Sequence, residues 1–118
     1  MEKENVILLK TDAFALRIVK LYKHLREEKK EDELTKQLLK SGTSIGANSE
    51  EASGAQSRKN FISKYSIALK EARETRFWLR ILRDSDYIDV STADFYLVDC
   101  EEIHKMLTAI LKTTKQTS

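Results

Sequence analysis

Apolar residues in this chain return at alternating steps of four and three, and they do so in four separate blocks. The longest block carries Phe61, Tyr65, Ala68, Ala72, Thr75, Leu79 and Leu82 without a break, to about Asp84. That spacing puts every one of these side chains on a single stripe of an α-helix, whereas a half-buried strand needs a period of two. The first block, from about Asp12 to Lys29, repeats it through Phe14, Ile18, Leu21 and Leu25. The second, Glu31 to Ser53, runs through Leu34, Leu38, Ser41, Ile45, Asn48 and Ala52, and the fourth, from Ser91, through Ala93, Tyr96, Cys100, Ile103, Leu107 and Ile110. Composition agrees, since 118 residues contain no proline and only 3 glycines. The chain reads as one all-α domain, residues 1–118, folded as an antiparallel up-down-up-down four-helix bundle.

Local signals place the boundaries. Asn5 to Lys10 is too short to assign by period, so residues 1–11 read as an extended N-terminal segment, with Thr11 or Asp12 capping the first helix. Ser57 is the expected cap of the third helix, Ser91 with Asp94 forms a capping box for the fourth, and residues 113–118 read as a frayed tail. Gly42, Gly46 and Gly54 all fall in the second block. Glycine inside a helix costs about 1 kcal/mol relative to alanine, which two interior glycines repay most simply by letting another helix approach closely; Gly54 ends the helix. A phosphate-binding loop would need G-x-x-x-x-G-K-[ST] after a strand, and neither is present.

Charge is informative only when mapped. The net charge is +2, but residues 57–84 hold eight Lys and Arg against three Asp and Glu. Within them Arg73, Arg76, Arg80 and Arg83 follow the seam one position behind it and form a ridge, continued upstream by Arg58 and Lys59. Arg80 is within helical reach of Asp84, whereas Arg73 and Arg76 have no acid three or four positions away. Their counter-charge must come from the acids of the fourth block, Asp94, Asp99, Glu101 and Glu102, from another subunit, or from the phosphates of RNA or DNA, which arginine forks grip bidentately. The same helix carries Ile62, Leu69, Phe77, Trp78 and Ile81 outside its seam, more than one bundle face can cover, so these five are the expected homo-oligomer interface.

Other function classes find little support. The apolar runs, Val6 to Leu9 among them, stop far short of the ~18 residues that a membrane span needs. The charged start MEKEN leads into no signal core and a lone Cys100 forms no internal disulfide, which together point to the cytoplasm. Glu101-x-x-His104 is half of a di-iron motif, and the only other histidine, His24, has Leu21 three positions before it where the second glutamate would stand. Cys100 sits on a core stripe, and Glu71 with Glu74 lies beside Ile67 and Trp78 without a cleft. No catalytic residue, metal or cofactor is expected.

The strings AFALRIVKLYKHL at 13–25, SGTSIGAN at 41–48 and SKYSIALKEARETRFWLRIL at 63–82 together resemble the bacterial four-helix-bundle family encoded within intervening sequences of large-subunit ribosomal RNA genes. The family's small-residue segment usually reads S-I-x-A-N-I-A-E followed by a small residue; this chain keeps Ser44, Ile45, Ala47, Asn48, Glu51 and Ala52 and departs at Ser49 and Glu50, where the family favours an apolar residue and an alanine. The resemblance implies a ring-like homopentamer and no settled biochemical activity. A similar bundle is the accessory protein of diversity-generating retroelements, where a basic pentamer is thought to engage nucleic acid and a reverse transcriptase. The leading expectation is therefore a non-enzymatic homo-oligomer that holds structured RNA or DNA on its arginine ridge. The alternative is a scaffold or protein-interaction oligomer whose arginines are consumed by salt bridges.

Overall fold

The described residues form four helices: α1 (Glu2–Glu28), α2 (Glu33–Ser53), α3 (Arg58–Asp84) and α4 (Val90–Gln116). The computed structural model describes the backbone of residues 2–116 and the side chains of residues 6–115. At 1.5 Å rise per residue a 27-residue helix is about 40 Å long, and the molecule measures 48 × 21 × 19 Å, one helix length by two helix diameters. Each helix packs on the next in sequence and α4 returns to α1, the up-down-up-down arrangement that short connections favour.

The four-three stripes converge on the axis. Phe14, Ile18 and Leu25 of α1, Leu38 and Ile45 of α2, Tyr65, Leu79 and Leu82 of α3 and Ile103 and Leu107 of α4 are fully buried. Two buried hydroxyls bond to carbonyls of their own helices. The buried Thr75 hydroxyl donates to the Glu71 carbonyl at 2.8 Å and lies 3.0 Å from Ser41 Oγ on the facing helix. Ser49, where the family pattern favours an apolar residue, is also fully buried and donates to the Ile45 carbonyl at 2.8 Å, while Glu50 points to solvent.

Three boundaries differ from the sequence reading. Asn5 to Lys10 is not extended, because α1 already includes it. Ile7 and Thr11 are buried in line with Phe14, so the stripe simply begins two steps earlier, and the Thr11 hydroxyl bonds back to the Leu8 carbonyl instead of capping. Helix α4 is capped by Asp89, not Ser91: Asp89 Oδ1 accepts from Thr92 N at 2.7 Å and from Ser91 Oγ at 3.1 Å. Residues 113–116 continue α4 and do not fray; Thr114 bonds the Ile110 carbonyl within the helix, and residues 117–118 and Met1 lie outside the described residues. The other signals hold. Ser57 Oγ accepts from Asn60 N at 3.0 Å, and Gly54 is the C-cap of α2.

Candidate nucleic-acid interface

The arginine ridge runs along the side of α3 that faces α4, and its members meet different fates. Arg76 donates to Glu101 Oε1 of α4 at 2.7 Å. That bond holds the Glu101 carboxyl below its ordinary value against a small opposing effect of burial. Arg83 forks onto the neighbouring Asp84, Nε to Oδ1 at 2.8 Å and Nη2 to Oδ2 at 3.3 Å, so Asp84 is taken by Arg83 and not by Arg80. Arg58 donates to the Thr114 carbonyl near the end of α4. Arg73, Arg80 and Lys59 are exposed, and among the described residues none of them forms a hydrogen bond or ion pair. The ridge thus divides into three cations tied to the protein and three offered to solvent.

The acids proposed as partners divide as well. Only Glu101 reaches the ridge directly. Asp99 instead binds Arg17 of α1 at 2.5 Å and Lys10 at 3.5 Å, and Glu102 binds Lys10 at 3.1 Å, so these two acids clamp α1 to α4. Arg17 also lies 5.8 Å from the Phe95 ring centroid, and its carbonyl accepts the Tyr96 hydroxyl at 3.0 Å. An open groove of about 490 Å³ on the outer face of α4 is lined by Asp94, Leu97, Val98, Glu101, Glu102 and Lys105, a rim too acidic to attract phosphate.

His104 stands beside the ridge, where burial, then Arg76 and Arg73, push its pKa down and keep the ring neutral at pH 7 despite Glu101. Glu101-x-x-His104 is therefore a carboxylate engaged by arginine next to a neutral imidazole. Among the described residues no three His, Cys, Asp or Glu side chains gather to hold a metal. Cys100 is 1% exposed, and burial pushes its thiol up to about 12.

The five apolar residues expected at an oligomer interface are largely taken up by the protomer. Ile62, Leu69 and Trp78 pack against the flank of the core, Ile81 is half-buried, and Phe77 remains 44% exposed with its ring edge-on to Trp78. The larger exposed set is elsewhere: Leu9 and Leu16 on α1 and Phe95 and Val98 on α4. A second three-four-three spacing, Val6, Leu9, Ala13 and Leu16, was the available signal for it in the sequence.

The model of the 23S rRNA-intervening sequence protein family matches residues 3–109, nearly the whole of the bundle just described. The chain belongs to this family. Among solved structures, it is similar to the crystal structure of a protein of unknown function from the S23 ribosomal protein family of Bacteroides thetaiotaomicron. The two share 51% identity over 93% of this chain and 98% of that one, with a TM-score of 0.92. Comparison with curated proteins gives no match. No helix among the described residues is long and apolar enough to cross a membrane.

Proposed function

We propose that the protein is a non-enzymatic, self-associating four-helix bundle that holds structured RNA or DNA through phosphate contacts on α3. The observation that carries this reading is the pair Arg73 and Arg80. Both are exposed and without an ion-pair partner among the described residues, and they stand seven residues apart, about 10 Å along one helix face. An unpaired guanidinium keeps its full fork of donors for a phosphate, and Lys59 adds charge upstream. Contacts of this kind position nucleic acid and read little sequence. Self-association, with the five-membered ring that the family resemblance implies, repeats the pair and multiplies weak contacts. The absence of enzymatic activity belongs to the same proposal, supported by the protonated, buried Cys100 and the engaged Glu101. A cytoplasmic setting, in which that thiol stays reduced, completes it.

The Arg76–Glu101 and Arg83–Asp84 pairs favour a second reading, a scaffold or protein-interaction oligomer with no nucleic-acid ligand. Fluorescence anisotropy with a labelled structured RNA and a duplex DNA of equal length, at two salt concentrations, separates the two. Binding should weaken steeply with salt, and Arg73→Ala/Arg80→Ala should weaken it further and flatten the log–log salt dependence by about two per protomer engaged. No binding at low salt overturns the nucleic-acid reading and leaves the scaffold.

A further inference from the structure

The register of α3 on α4 brings one histidine into the arginine ridge. Cys100 donates to the Ala72 carbonyl at 3.3 Å and Arg76 donates to Glu101 at 2.7 Å, so His104, one turn beyond Cys100, stands beside Arg73 and Arg76 and feels the charge of both. His104 is half-buried, and neither of its ring nitrogens has a hydrogen-bond partner among the described residues; Thr108 bonds only to its backbone carbonyl. The α3–α4 seam therefore gathers three basic groups around one carboxylate, and Arg76 already engages it. Arg73 and His104 are left without an anion.

We infer that His104 belongs to the phosphate site around Arg73, and that a phosphodiester bound there takes up a proton on the imidazole. This rests on the phosphate contacts proposed for α3 and adds to them a residue of α4 and a dependence on pH. The charged groups that face the ring are Arg76 and Arg73 from α3 and Glu101 from its own helix. Lys105, next in the chain, is exposed, and no charged group of α1 or α2 among the described residues acts on the ring. In the free protein burial and the two arginines outweigh Glu101 and keep the ring neutral at pH 7. An anion in contact with Arg73 offsets the repulsion from that guanidinium and attracts the imidazolium, which can donate from both nitrogens. Phosphate affinity therefore rises as pH falls through the bound-state value of the ring, and levels off once the free ring is itself protonated. The arginines and lysines of the ridge stay charged throughout and cannot produce this dependence.

The test is fluorescence anisotropy at fixed ionic strength, from about pH 8 to about pH 6, with a labelled structured RNA and a duplex DNA of equal length. It compares the intact chain with His104→Gln and with His24→Gln, which changes the other histidine, exposed on α1. A proton held about tenfold more tightly beside a phosphate sets the scale. The affinity of the intact chain should rise several-fold across this range, to a ceiling of about tenfold. His104→Gln should abolish the rise and His24→Gln should leave it in place. A rise with only one of the two nucleic acids supports the site and names its source. No binding at any pH overturns the nucleic-acid reading itself. Binding that Arg73→Ala weakens, but whose rise is absent or survives in His104→Gln, overturns only the assignment of His104. Should His104→Gln lose its helical circular dichroism, NMR of the intact chain decides instead. The Cε1 proton of His104 should then titrate at higher pH with duplex DNA bound than without it, and an unmoved titration overturns the inference.

Discussion

Gly42 of α2 stands so close to Ile18 of α1 that a β-carbon at Gly42 would lie 2.9 Å from Ile18 Cγ2 and 3.0 Å from Cγ1. Ile18 is fully buried and β-branched, so its two γ-carbons have no alternative rotamer to retreat into. Four residues on, the same test gives a different answer: a β-carbon at Gly46 meets the Thr11 carbonyl oxygen at 3.5 Å, ordinary contact. The two glycines therefore separate. Gly42→Ala should lose about 1–2 kcal/mol, the overpacking cost less the gain in helix propensity, whereas Gly46→Ala should gain up to about 1 kcal/mol. Urea unfolding of both variants checks this, and equal shifts would mean that Gly42 does not set the distance between α1 and α2.

Cys100 donates its thiol hydrogen to the Ala72 carbonyl at 3.3 Å across the α3–α4 seam. Burial pushes the thiol up to about 12, and the thiolate is the reactive form. At neutral pH an aromatic disulfide reagent should label native protein at least about a hundredfold more slowly than protein in urea, because labelling has to wait for the seam to open. Rapid native labelling would show that α3 and α4 separate easily.

Most seam positions from Phe14 to Ile110 were legible because burial and period are properties of each helix alone; the exceptions are Leu34, Asn48 and Phe61, which are half-buried, with Thr35 and Ser49 buried in place of the first two. Thr11 hid the true start of α1: a hydroxyl looks like a cap in sequence, yet inside a helix it is satisfied by the carbonyl three residues back. The same late start concealed Val6 and Leu9, and with them the exposed apolar stripe of α1. The fate of the arginines was not legible at all. Whether Arg76 or Arg73 meets Glu101, and whether Arg80 or Arg83 takes Asp84, depends on how α3 and α4 are rotated and staggered, which no single-helix pattern encodes.

Glu71 and Glu74 face one another on α3. Burial raises the pKa of Glu71, and the charge and hydrogen bond of Glu74 raise it further, outweighing Lys70 and Lys40. A carboxyl raised on folding favours the folded state while protonated, and that advantage is lost as pH rises through the folded-state value. Glu71→Gln should therefore stabilise the protein at neutral pH, by about 0.5 kcal/mol as for other like-charged pairs one turn apart, and the gain should vanish in acid. Thermal melts across the acid range test this. A gain that persists in acid would arise from something other than charge.

Glu31 begins α2 from outside it. Its carboxylate accepts from Leu34 N at 3.0 Å and Thr35 N at 2.8 Å, and from the buried Thr35 hydroxyl at 2.7 Å, while Asp32 at the N-cap position makes no capping bond. Burial pushes the Glu31 carboxyl up, but the bonds from Leu34 and Thr35 outweigh it and hold the pKa below its ordinary value. A depressed carboxylate stabilises the fold above its unfolded-state pKa and loses that contribution as pH falls through the folded-state value. Glu31→Ala should cost about 1 kcal/mol at neutral pH, the usual worth of a cap, and distinctly less at about pH 3, where the unfolded carboxyl is already protonated. Asp32→Ala removes only the exposed pairs to Arg26 and Lys36 and should cost less at neutral pH. If Asp32→Ala proved the more damaging of the two, the start of α2 would depend on those ion pairs and not on the cap.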